Sequence, residues 1–384
     1  MRFRTTFAKA AEKSTSANAR QAARKIKADF ADFPATLIIY FAATDYEANT
    51  LAVEMRDAFP GAKTFGCSTA GEQCDDRILN ASVVAMAFSS EAFEYCETAL
   101  VLAAGKTAPA EGVFDTAEAA MRHLTARLGV EPIHLDYRQY VGLMLGDSIS
   151  AFTESVVEKI GELTDVIFVG GMAGDDYKFV GAQTVFYDGQ VYRNAAVLAL
   201  WKPKNGFSLL KTQAVEMTDR NLVITRADEE NRIIWQFDGE DAAPAYARAI
   251  GIPVETMDIL DYDENPLALT ADGEPFLRAV VKKVDERGLQ MFAQVREGTR
   301  QTLTRVGDIL GRTKEDLDAA MREAGEVAAI LHINCASRHT ALKNKGQADA
   351  FGTLFRGVPN IAFFSYGEVY VGVVALTSTM ILFK

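Results

Sequence analysis

The sequence predicts a mixed α/β protein of two domains, in which parallel and antiparallel sheets are built from repeated β-α-β-β units and flanked by helices. One pattern occurs three times: a short apolar strand, a helix-like stretch, and a second apolar run that ends in a turn with a glycine and an acid. Each copy continues into a further strand-like run. A chain of 384 residues is also long for a single core, which favours two domains.

The three turns occupy matched places in their copies, each following the end of the first strand by about thirty residues. We call residues 66–72 the first turn, residues 170–176 the second turn and residues 365–368 the third turn. Loops at the ends of strands commonly form ligand sites. The turns are therefore the first candidates for a binding site.

Apolar periodicity and the positions of glycine and proline predict the elements of the N-terminal half. Helices are expected over 18–30, 46–59, 115–128 and 151–163. Strands are expected at 37–41, 82–88, 91–101, 141–145 and 195–200, and a hairpin joins 182–187 to 191–192 through Asp188-Gly189.

The C-terminal half is predicted by the same signals. Two prolines and a glycine make 261–275 the clearest loop. Thr313 and Asp316 have the spacing of a capping box, which predicts a helix beginning at Thr313. The other predicted elements are a strand pair at 222–237, a helix ending near Gly251, and strands at 276–284, 291–295, 330–334 and 370–383.

This order of elements predicts three parts of the chain. Residues 1–34 form a basic N-terminal helical extension, residues 35–236 an N-terminal domain with two copies of the pattern, and residues 237–384 a C-terminal domain with the third. The extension is expected to be a solvated helix that caps the domain; docking on an acidic partner or a membrane surface is the alternative.

Charge and cysteine content limit the possible partners and compartment. The net charge is −12 although residues 1–27 carry eight Lys/Arg and one Glu, so the body is acidic and nucleic acid is not expected as a partner. The four cysteines lack zinc-type pairing and are too few for a disulfide scaffold. No apolar run approaches the roughly 20 residues that span a bilayer, and the N-terminus does not resemble a secretory signal. We expect a cytoplasmic protein without a membrane span.

The first turn contains small, hydroxyl-bearing and acidic residues. Gly71 lets the backbone approach a ligand, Ser68 and Thr69 bind anions, and Glu72 receives an amino group. Cys67 is a nucleophile only if its pKa is lowered and a base is near. The alternatives are a tight structural turn, a wall of a ligand site and a covalent catalyst.

The second turn, with Gly170, Gly171, Gly174 and Asp175, looks like a phosphate loop. It lacks the Lys-Ser/Thr ending of a P-loop, and its glycine spacing is not that of a Rossmann fingerprint. We interpret it as a turn of close backbone approach, either structural or facing a ligand.

The third turn places an aromatic residue, Tyr366, beside Gly367 and Glu368, a combination suited to a small cationic or amino-acid ligand. Arg338 follows the preceding strand and has the donor geometry for a carboxylate or a propionate. An ion pair between Arg338 and Glu368 is the alternative. Cys335 and His339 are four residues apart, but two ligands do not make a metal site, so none is expected.

These motifs, in this order, resemble the FIST family, a sensory module with N- and C-terminal FIST domains. The resemblance covers the chain from about residue 35 onward. It implies a role in signal transduction, through sensing of a small ligand such as an amino acid or its derivative. It also implies output through a separate histidine kinase, cyclase, phosphodiesterase or chemoreceptor. The matching motifs are Gly-Cys-Ser-Thr-Ala-Gly-Glu (66–72), Gly-Gly-x-Ala-Gly-Asp-Asp (170–176), Cys-x-x-Arg (335–338) and Tyr-Gly-Glu (366–368).

Some relatives in this family resemble haem-based nitric-oxide sensors that partner histidine kinases. In that branch a His is expected in the strand region after residue 208, and Asn-Gln-Thr near the C-terminus. Residues 210–215 contain no His, and residues 374–377 keep only the Thr. We therefore expect no cofactor, with haem as the alternative.

The three turns differ: the first is hydroxyl-rich, the second is glycine-rich and doubly acidic, and the third carries an aromatic ring. This divergence at matched positions indicates one scaffold that presents different groups to a shared pocket, where the N- and C-terminal domains meet. A hydrolase or transferase that uses Cys67 or Cys335 is the alternative. The expected site residues are Cys67, Ser68, Thr69, Gly71, Glu72, Gly170, Gly171, Gly174, Asp175, Arg338, Tyr366, Gly367 and Glu368.

Overall fold

A computed structural model describes residues 2–10, 15–103, 112–148, 150–271 and 273–384. Helices and mixed parallel and antiparallel sheets confirm the predicted α/β class. The chain forms two compact units; the predicted division of the sequence at residue 236 stays a prediction. The larger unit comprises Met1–Lys211, Lys314–Gly372 and Ser378–Lys384, and the smaller unit comprises Thr212–Thr313 and Val373–Thr377.

The α-helices of the described residues, to which a short 3-10 turn at Pro132–His134 is added, are α1 (Ser16–Asp29), α2 (Ala48–Ala58), α3 (Ala117–Ala126), α4 (Ala151–Leu163), α5 (Ala242–Ile250), α6 (Ile259–Glu264), α7 (Ile309–Ala324), α8 (Ala336–Asn344) and α9 (Ala348–Thr353). The strands of the first half are β1 (Phe3–Lys9), β2 (Ala35–Ala42), β3 (Lys63–Ser68), β4 (Glu72–Cys74), β5 (Arg77–Leu79), β6 (Ser82–Ser89), β7 (Phe93–Leu102), β8 (Val113–Phe114), β9 (Val141–Gly146), β10 (Phe168–Met172), β11 (Val185–Tyr187), β12 (Gln190–Tyr192) and β13 (Ala195–Pro203). The later strands are β14 (Phe207–Gln213), β15 (Val215–Asp228), β16 (Ile233–Phe237), β17 (Glu240–Asp241), β18 (Leu267–Ala271), β19 (Glu274–Arg278), β20 (Val280–Val284), β21 (Gly288–Met291), β22 (Arg300–Val306), β23 (Ala329–Cys335), β24 (Asn360–Ser365), β25 (Glu368–Tyr370), β26 (Gly372–Val374) and β27 (Thr377–Phe383).

Several predictions about elements are wrong. The predicted strand 276–284 is divided into β19 and β20, and the predicted strand 370–383 contains both β26 and β27 with a break between them. The predicted loop at 261–275 contains α6 and β18, because Asp258 and Asp261 form a capping box that starts the helix. Helix α7 begins at Ile309 rather than Thr313, whose hydroxyl donates to Ile309 O at 2.7 Å inside the helix. Most of the predicted strand 291–295 is irregular.

The larger unit contains three sheets with a common plan. We call each copy of the repeated pattern a segment. Each sheet holds the parallel strand pair of one segment (β2–β3, β9–β10 or β23–β24). The first strand of the pair also lies beside an antiparallel strand that comes later in the same segment (β6, β13 or β27). The sheet orders are β1-β6-β2-β3-β11-β12 for the first sheet, β26-β25-β10-β9-β13-β7-β8 for the second and β14-β27-β23-β24-β4-β5 for the third.

The strand that follows each turn pairs with a different sheet from the strand that precedes it. Strand β4, after the first turn, pairs with β24 of the third sheet. Strand β25, after the third turn, pairs with β10 of the second sheet, and β11 pairs with β3 of the first. The three segments therefore exchange hairpins in a closed cycle, which brings the turns together.

Apolar faces of the three sheets bury a single core. Phe41 of the first sheet packs against Phe363 of the third at 4.6 Å between ring centroids. At the other end of these strands Phe88, Trp201 and Phe383, one from each sheet, lie within 6.1 Å of one another. Burial of these large aromatic rings stabilises the unit.

The basic N-terminal segment is integrated into the first sheet. Strand β1, which was not predicted from the sequence, pairs antiparallel with β6 along its length. The predicted helix is confirmed as α1; Thr15 caps it by accepting from Asn18 N, and it buries Ala22 and Ile26 against the sheet layer.

The smaller unit is built on an eight-stranded antiparallel sheet in the order β19-β18-β22-β15-β16-β21-β20, with β17 beside β16. Its core includes Ile224, Phe237, Tyr246 and Leu303. Helix α5 ends, as predicted, at Gly251, whose φ of 80° is the left-handed conformation glycine adopts without strain. Among the described residues, no helix combines the length and apolarity needed to cross a membrane.

Candidate functional site

The three turns close a ring at the carboxyl ends of β3, β10 and β24. Each of three main-chain hydrogen bonds joins a different pair of segments. The bonds run from Gly174 N to Ser68 O (3.0 Å), from Ala70 N to Phe364 O (2.9 Å) and from Tyr366 N to Met172 O (3.1 Å). The expected approach of the turns is therefore present, within the larger unit.

Glycines of the second turn permit close packing, because a side chain at each would come too near to neighbouring atoms. The main-chain atoms that a Cβ would meet are Ala70 N at 2.5 Å for Gly174, Met144 O at 1.8 Å for Gly170 and Gly367 O at 3.1 Å for Gly171. Gly71 has a φ of 127°, which side chains disfavour. Main-chain packing thus accounts for these glycines.

Glu72 is fully buried at the start of β4 and is held by hydroxyl groups of its own segment. Its Oε1 contacts the Thr69 hydroxyl, and its Oε2 lies 2.5 Å from Ser82 Oγ. Burial raises the pKa of Glu72 to about 8, against the lowering effect of the two hydroxyl bonds, and the charge of Asp176 adds to the rise. Glu72 is therefore mostly protonated at neutral pH.

Asp175 is also buried but has the opposite ionisation. Its Oδ1 accepts from the Tyr366 hydroxyl at 2.7 Å and from Phe179 N at 3.0 Å, and its Oδ2 accepts from Val180 N at 2.9 Å. Although burial opposes ionisation, these hydrogen bonds lower the pKa of Asp175. The carboxylate anchors residues 175–182, which we call the aromatic loop.

The aromatic loop has a strained backbone. Asp176, Tyr177 and Phe179 have φ angles of 54°, 59° and 52°, in a region that costs roughly 1 kcal/mol or more for each residue with a side chain. Tyr366 holds the loop, since its hydroxyl accepts from Tyr177 N at 2.8 Å and its ring stacks on Phe179 at 5.0 Å. Such strain is typical of functional segments.

Arg338 and Glu368 lie inside the third segment. Arg338, on α8, is 1% exposed and donates from Nε to Asn334 Oδ1 at 3.1 Å; Glu368 accepts from Ser365 Oγ at 2.5 Å. Burial lowers the pKa of Arg338 to about 10, while Cys335, Glu368 and Asp316 oppose this change. The Arg338 guanidinium, on the buried side of α8, therefore remains charged at neutral pH.

Cys67 and Ser68 face different surroundings. Cys67 lies in the central apolar core, and burial, followed by the charge of Glu72, raises the pKa of its thiol, the opposite of what a nucleophile requires. Ser68 Oγ donates to Gly174 O at 2.8 Å and accepts from Thr184 N at 3.0 Å. Cys335, the last residue of β23, is 4% exposed.

A pocket of about 620 Å³, which we call the polar pocket, opens beside the ring of turns. It lies at the carboxyl end of β2, between the aromatic loop and α8 of the larger unit. Its volume is in the range of small-molecule sites. It is lined by Thr44, Asp45, Ala70, Asn80, Ala81, Asp176, Tyr177, Lys178, His339, Thr340, Lys343 and Asn344.

Charges of both signs line the polar pocket. Asp45 and Asp176 supply carboxylates, and Lys178 and Lys343 supply ammonium groups. Asp176 Oδ2 accepts from Thr44 N at 2.7 Å, and Lys178 Nζ lies 3.4 Å from the same oxygen. Such a lining offers partners to a molecule that carries both a positive and a negative group.

His339 contributes a neutral imidazole to the polar pocket. Its ring stacks on Phe364 at 4.0 Å between centroids, and it is 5% exposed. Burial, and then the charge of Lys343, lowers the pKa of His339 to about 4. Among the described residues, no group of three or more His, Cys, Asp or Glu side chains is arranged to hold a metal ion.

None of the described residues that line the polar pocket is among the site residues expected from the sequence, although Ala70 and Asp176 belong to the predicted turns. Thr44 and Asp45 come shortly after the first predicted strand, at the end where loops bind ligands in α/β sheets. His339 and Lys343 are four residues apart and share a helix face. Each signal is present in the sequence, but nothing local indicates that the two segments meet.

Two family models match the sequence. One, described as the FIST N domain, matches residues 36–240, and the other, described as the FIST C domain, matches residues 242–371. The curated proteins include no match to the chain.

Proposed function

The chain belongs to the FIST family, whose domains sense small ligands in signalling, and on this premise we propose that it binds an amino acid or an amino-acid derivative in the polar pocket. The observation that carries the proposal is the placement of one carboxylate, Asp45, and one ammonium group, Lys343, around one opening. Two further charges of the lining, Asp176 and Lys178, lie 3.4 Å apart and pair with each other. A zwitterion satisfies both signs, whereas a singly charged molecule leaves one sign without a partner.

The proposed orientation follows from the positions of the charges on the chain. Lys343 and the neutral His339, both on α8, receive the carboxylate of the ligand. Asp45, after β2, receives its ammonium group, and the hydroxyls of Thr44 and Thr340 supply further hydrogen bonds. Tyr177, from the aromatic loop, covers part of the side chain of the ligand.

In this proposal the predicted turn residues do not contact the ligand and instead hold in place the elements that line the polar pocket. Asp175 and Tyr366 fix the loop that carries Tyr177 and Lys178, and the first turn supplies Ala70 to the lining. Glu72, Arg338 and Glu368 hold the ring of turns through contacts inside the protein. The three segments thus act as the internal repeat that builds one site.

The output of the proposed sensor passes to a separate protein such as a histidine kinase, a cyclase or phosphodiesterase, or a chemoreceptor. We place the protein in the cytoplasm, because all four cysteines are free thiols, as is typical of a reducing compartment.

A thermal-shift screen of the amino acids and their derivatives tests the proposal. A ligand at a hundred times its Kd raises the free energy of unfolding by about 2.7 kcal/mol. We expect at least one amino acid or derivative to stabilise the protein in a saturable manner. If no member of the panel does so, the proposal is wrong.

A pair of matched variants assigns the ligand to the polar pocket. Lys343→Gln removes an ammonium group from the lining, and Lys345→Gln removes one just beyond the end of α8, outside the lining. By isothermal titration with the stabilising ligand, we expect Lys343→Gln to weaken binding by about tenfold and Lys345→Gln to leave it unchanged. Equal affinities of the two variants would place the ligand elsewhere.

A further inference from the structure

A second pocket, of about 210 Å³, lies in the larger unit between α4 and the second sheet. Among the described residues, it shares no lining residue with the polar pocket. We call it the apolar pocket, since most of its walls are hydrocarbon. The side chains that form its walls include Met144, Val157, Ile160, Phe168, Val369 and Val371.

A glycine of α4 leaves the space open. Gly161, near the end of α4, lines the pocket, and a Cβ built on it meets no atom within 4 Å. Because glycine is less favourable than alanine within a helix, Gly161 lowers stability while it keeps the pocket open.

Val371 is an unusual residue at the edge of the apolar pocket. It is 68% exposed and has a φ of 64°, a conformation that β-branched residues rarely adopt. Asp165, also exposed, is the one charged residue among the described side chains of the lining. A lining that combines an exposed apolar side chain with a single carboxylate is suited to contact with a ligand that has an apolar body and a cationic end.

We propose that the apolar pocket is a second binding site, for a compact apolar amine. Its volume exceeds the roughly 150 Å³ of an apolar cavity that binds benzene, so one aromatic ring with a short amine arm fits. The apolar body of the ligand packs between Ile160 and Val369, and its ammonium group lies at the mouth, near Asp165. This site is independent of the ligand proposed for the polar pocket.

Methyl NMR of the full chain, titrated with benzylamine as the probe, tests this proposal. We expect saturable shifts of the methyl groups of Ile160, Met144 and Val369. Gly161→Leu fills the space and should weaken binding by at least about tenfold, whereas Glu158→Leu adds the same side chain to an exposed position of α4 outside the pocket and should not. If Gly161→Leu fails to fold, Gly161→Ala is used, with a smaller loss expected.

The charge at the mouth is tested with the same titration. Asp165→Asn should weaken benzylamine binding by about two- to fivefold, the effect of an exposed ion pair, and leave toluene binding unchanged. The proposal is overturned if wild-type protein shows no saturable shift of the three methyl groups, or if Gly161→Leu and wild type bind benzylamine equally.

Discussion

At the scale of single residues, Glu72 and Asp175 each follow a glycine in a turn, but their surroundings give them different ionisation states. Both are buried. Glu72 has two hydroxyl contacts, and burial raises its pKa to about 8; Asp175 accepts from main-chain N–H groups and the Tyr366 hydroxyl, and its pKa is lowered. One acid is an uncharged part of the core, and the other is a charged anchor.

The raised pKa of Glu72 predicts that stability falls as pH rises. The carboxyl ionises near 4.5 in the unfolded chain and at about 8 in the folded protein, so between these values the folded state holds one additional proton. The free energy of unfolding therefore decreases through this window, by up to about 1.4 kcal/mol per pH unit. Glu72→Gln should remove this dependence.

Chemical denaturation at several pH values between about 5 and 8 measures the effect. The variant should gain stability relative to wild type as pH increases. Parallel pH profiles for the two proteins would contradict the ionisation state assigned to Glu72.

The sequence does not predict this difference between the acids. Glu72 and Asp175 each follow a glycine in a turn, but the partner Ser82 lies on β6 and the partner Tyr366 lies in another segment. Burial and hydrogen bonding by residues distant in the chain set the pKa, and the residues next to each acid do not indicate these partners.

At the scale of elements, the aromatic loop depends on one side chain from another segment. The Tyr366 hydroxyl bonds both Asp175 and Tyr177 N. Tyr366→Phe removes both bonds and keeps the ring that stacks on Phe179. We expect a loss of about 1–2 kcal/mol in the free energy of unfolding.

Hydrogen exchange measures where the Tyr366→Phe variant is destabilised. We expect the amides of residues 177–180 to exchange faster in this variant than in wild type. Tyr192→Phe is the control, because the Tyr192 hydroxyl donates to the exposed side chain of Gln190. Equal exchange of these amides in the two variants would contradict the role of Tyr366 in holding the loop.

Elements with strong periodicity are predicted well from the sequence. Helix α4 has the predicted bounds, and the hairpin at Asp188-Gly189 forms as expected. The wrong predictions have local causes. The Pro- and Gly-containing residues 261–275 include a short helix and a short strand. Helix α7 follows Asp308 rather than Thr313, and the Asp308 side chain accepts a hydrogen bond from Gly311 N. The exchange of hairpins between sheets could not be predicted, because the propensity of a segment to form a strand does not specify which strand it pairs with.

At the scale of the whole molecule, the shared core of the three sheets makes the larger unit a single cooperative structure. Phe41 is fully buried against Phe363 of another sheet. Phe41→Ala should lower the free energy of unfolding by about 3–5 kcal/mol and reduce amide protection in all three sheets together, by hydrogen exchange. Val53→Ala, at an exposed position of α2, is the control. Loss of protection confined to the first sheet would contradict the shared core.

Hairpin exchange also explains why one site forms from segments far apart in sequence. The ring of turns places the end of β2, the aromatic loop and α8 around the polar pocket. The central claim is that the paired charges of this pocket recognise a zwitterion.

The most direct test is isothermal titration of the protein with three related molecules: the amino acid or derivative that stabilises it most, the amine that lacks its carboxylate, and the acid that lacks its amino group. We predict that each singly charged analogue binds at least about tenfold more weakly than the zwitterion, because one sign of charge in the polar pocket is left without a partner. Equal binding of the zwitterion and either analogue would contradict this recognition.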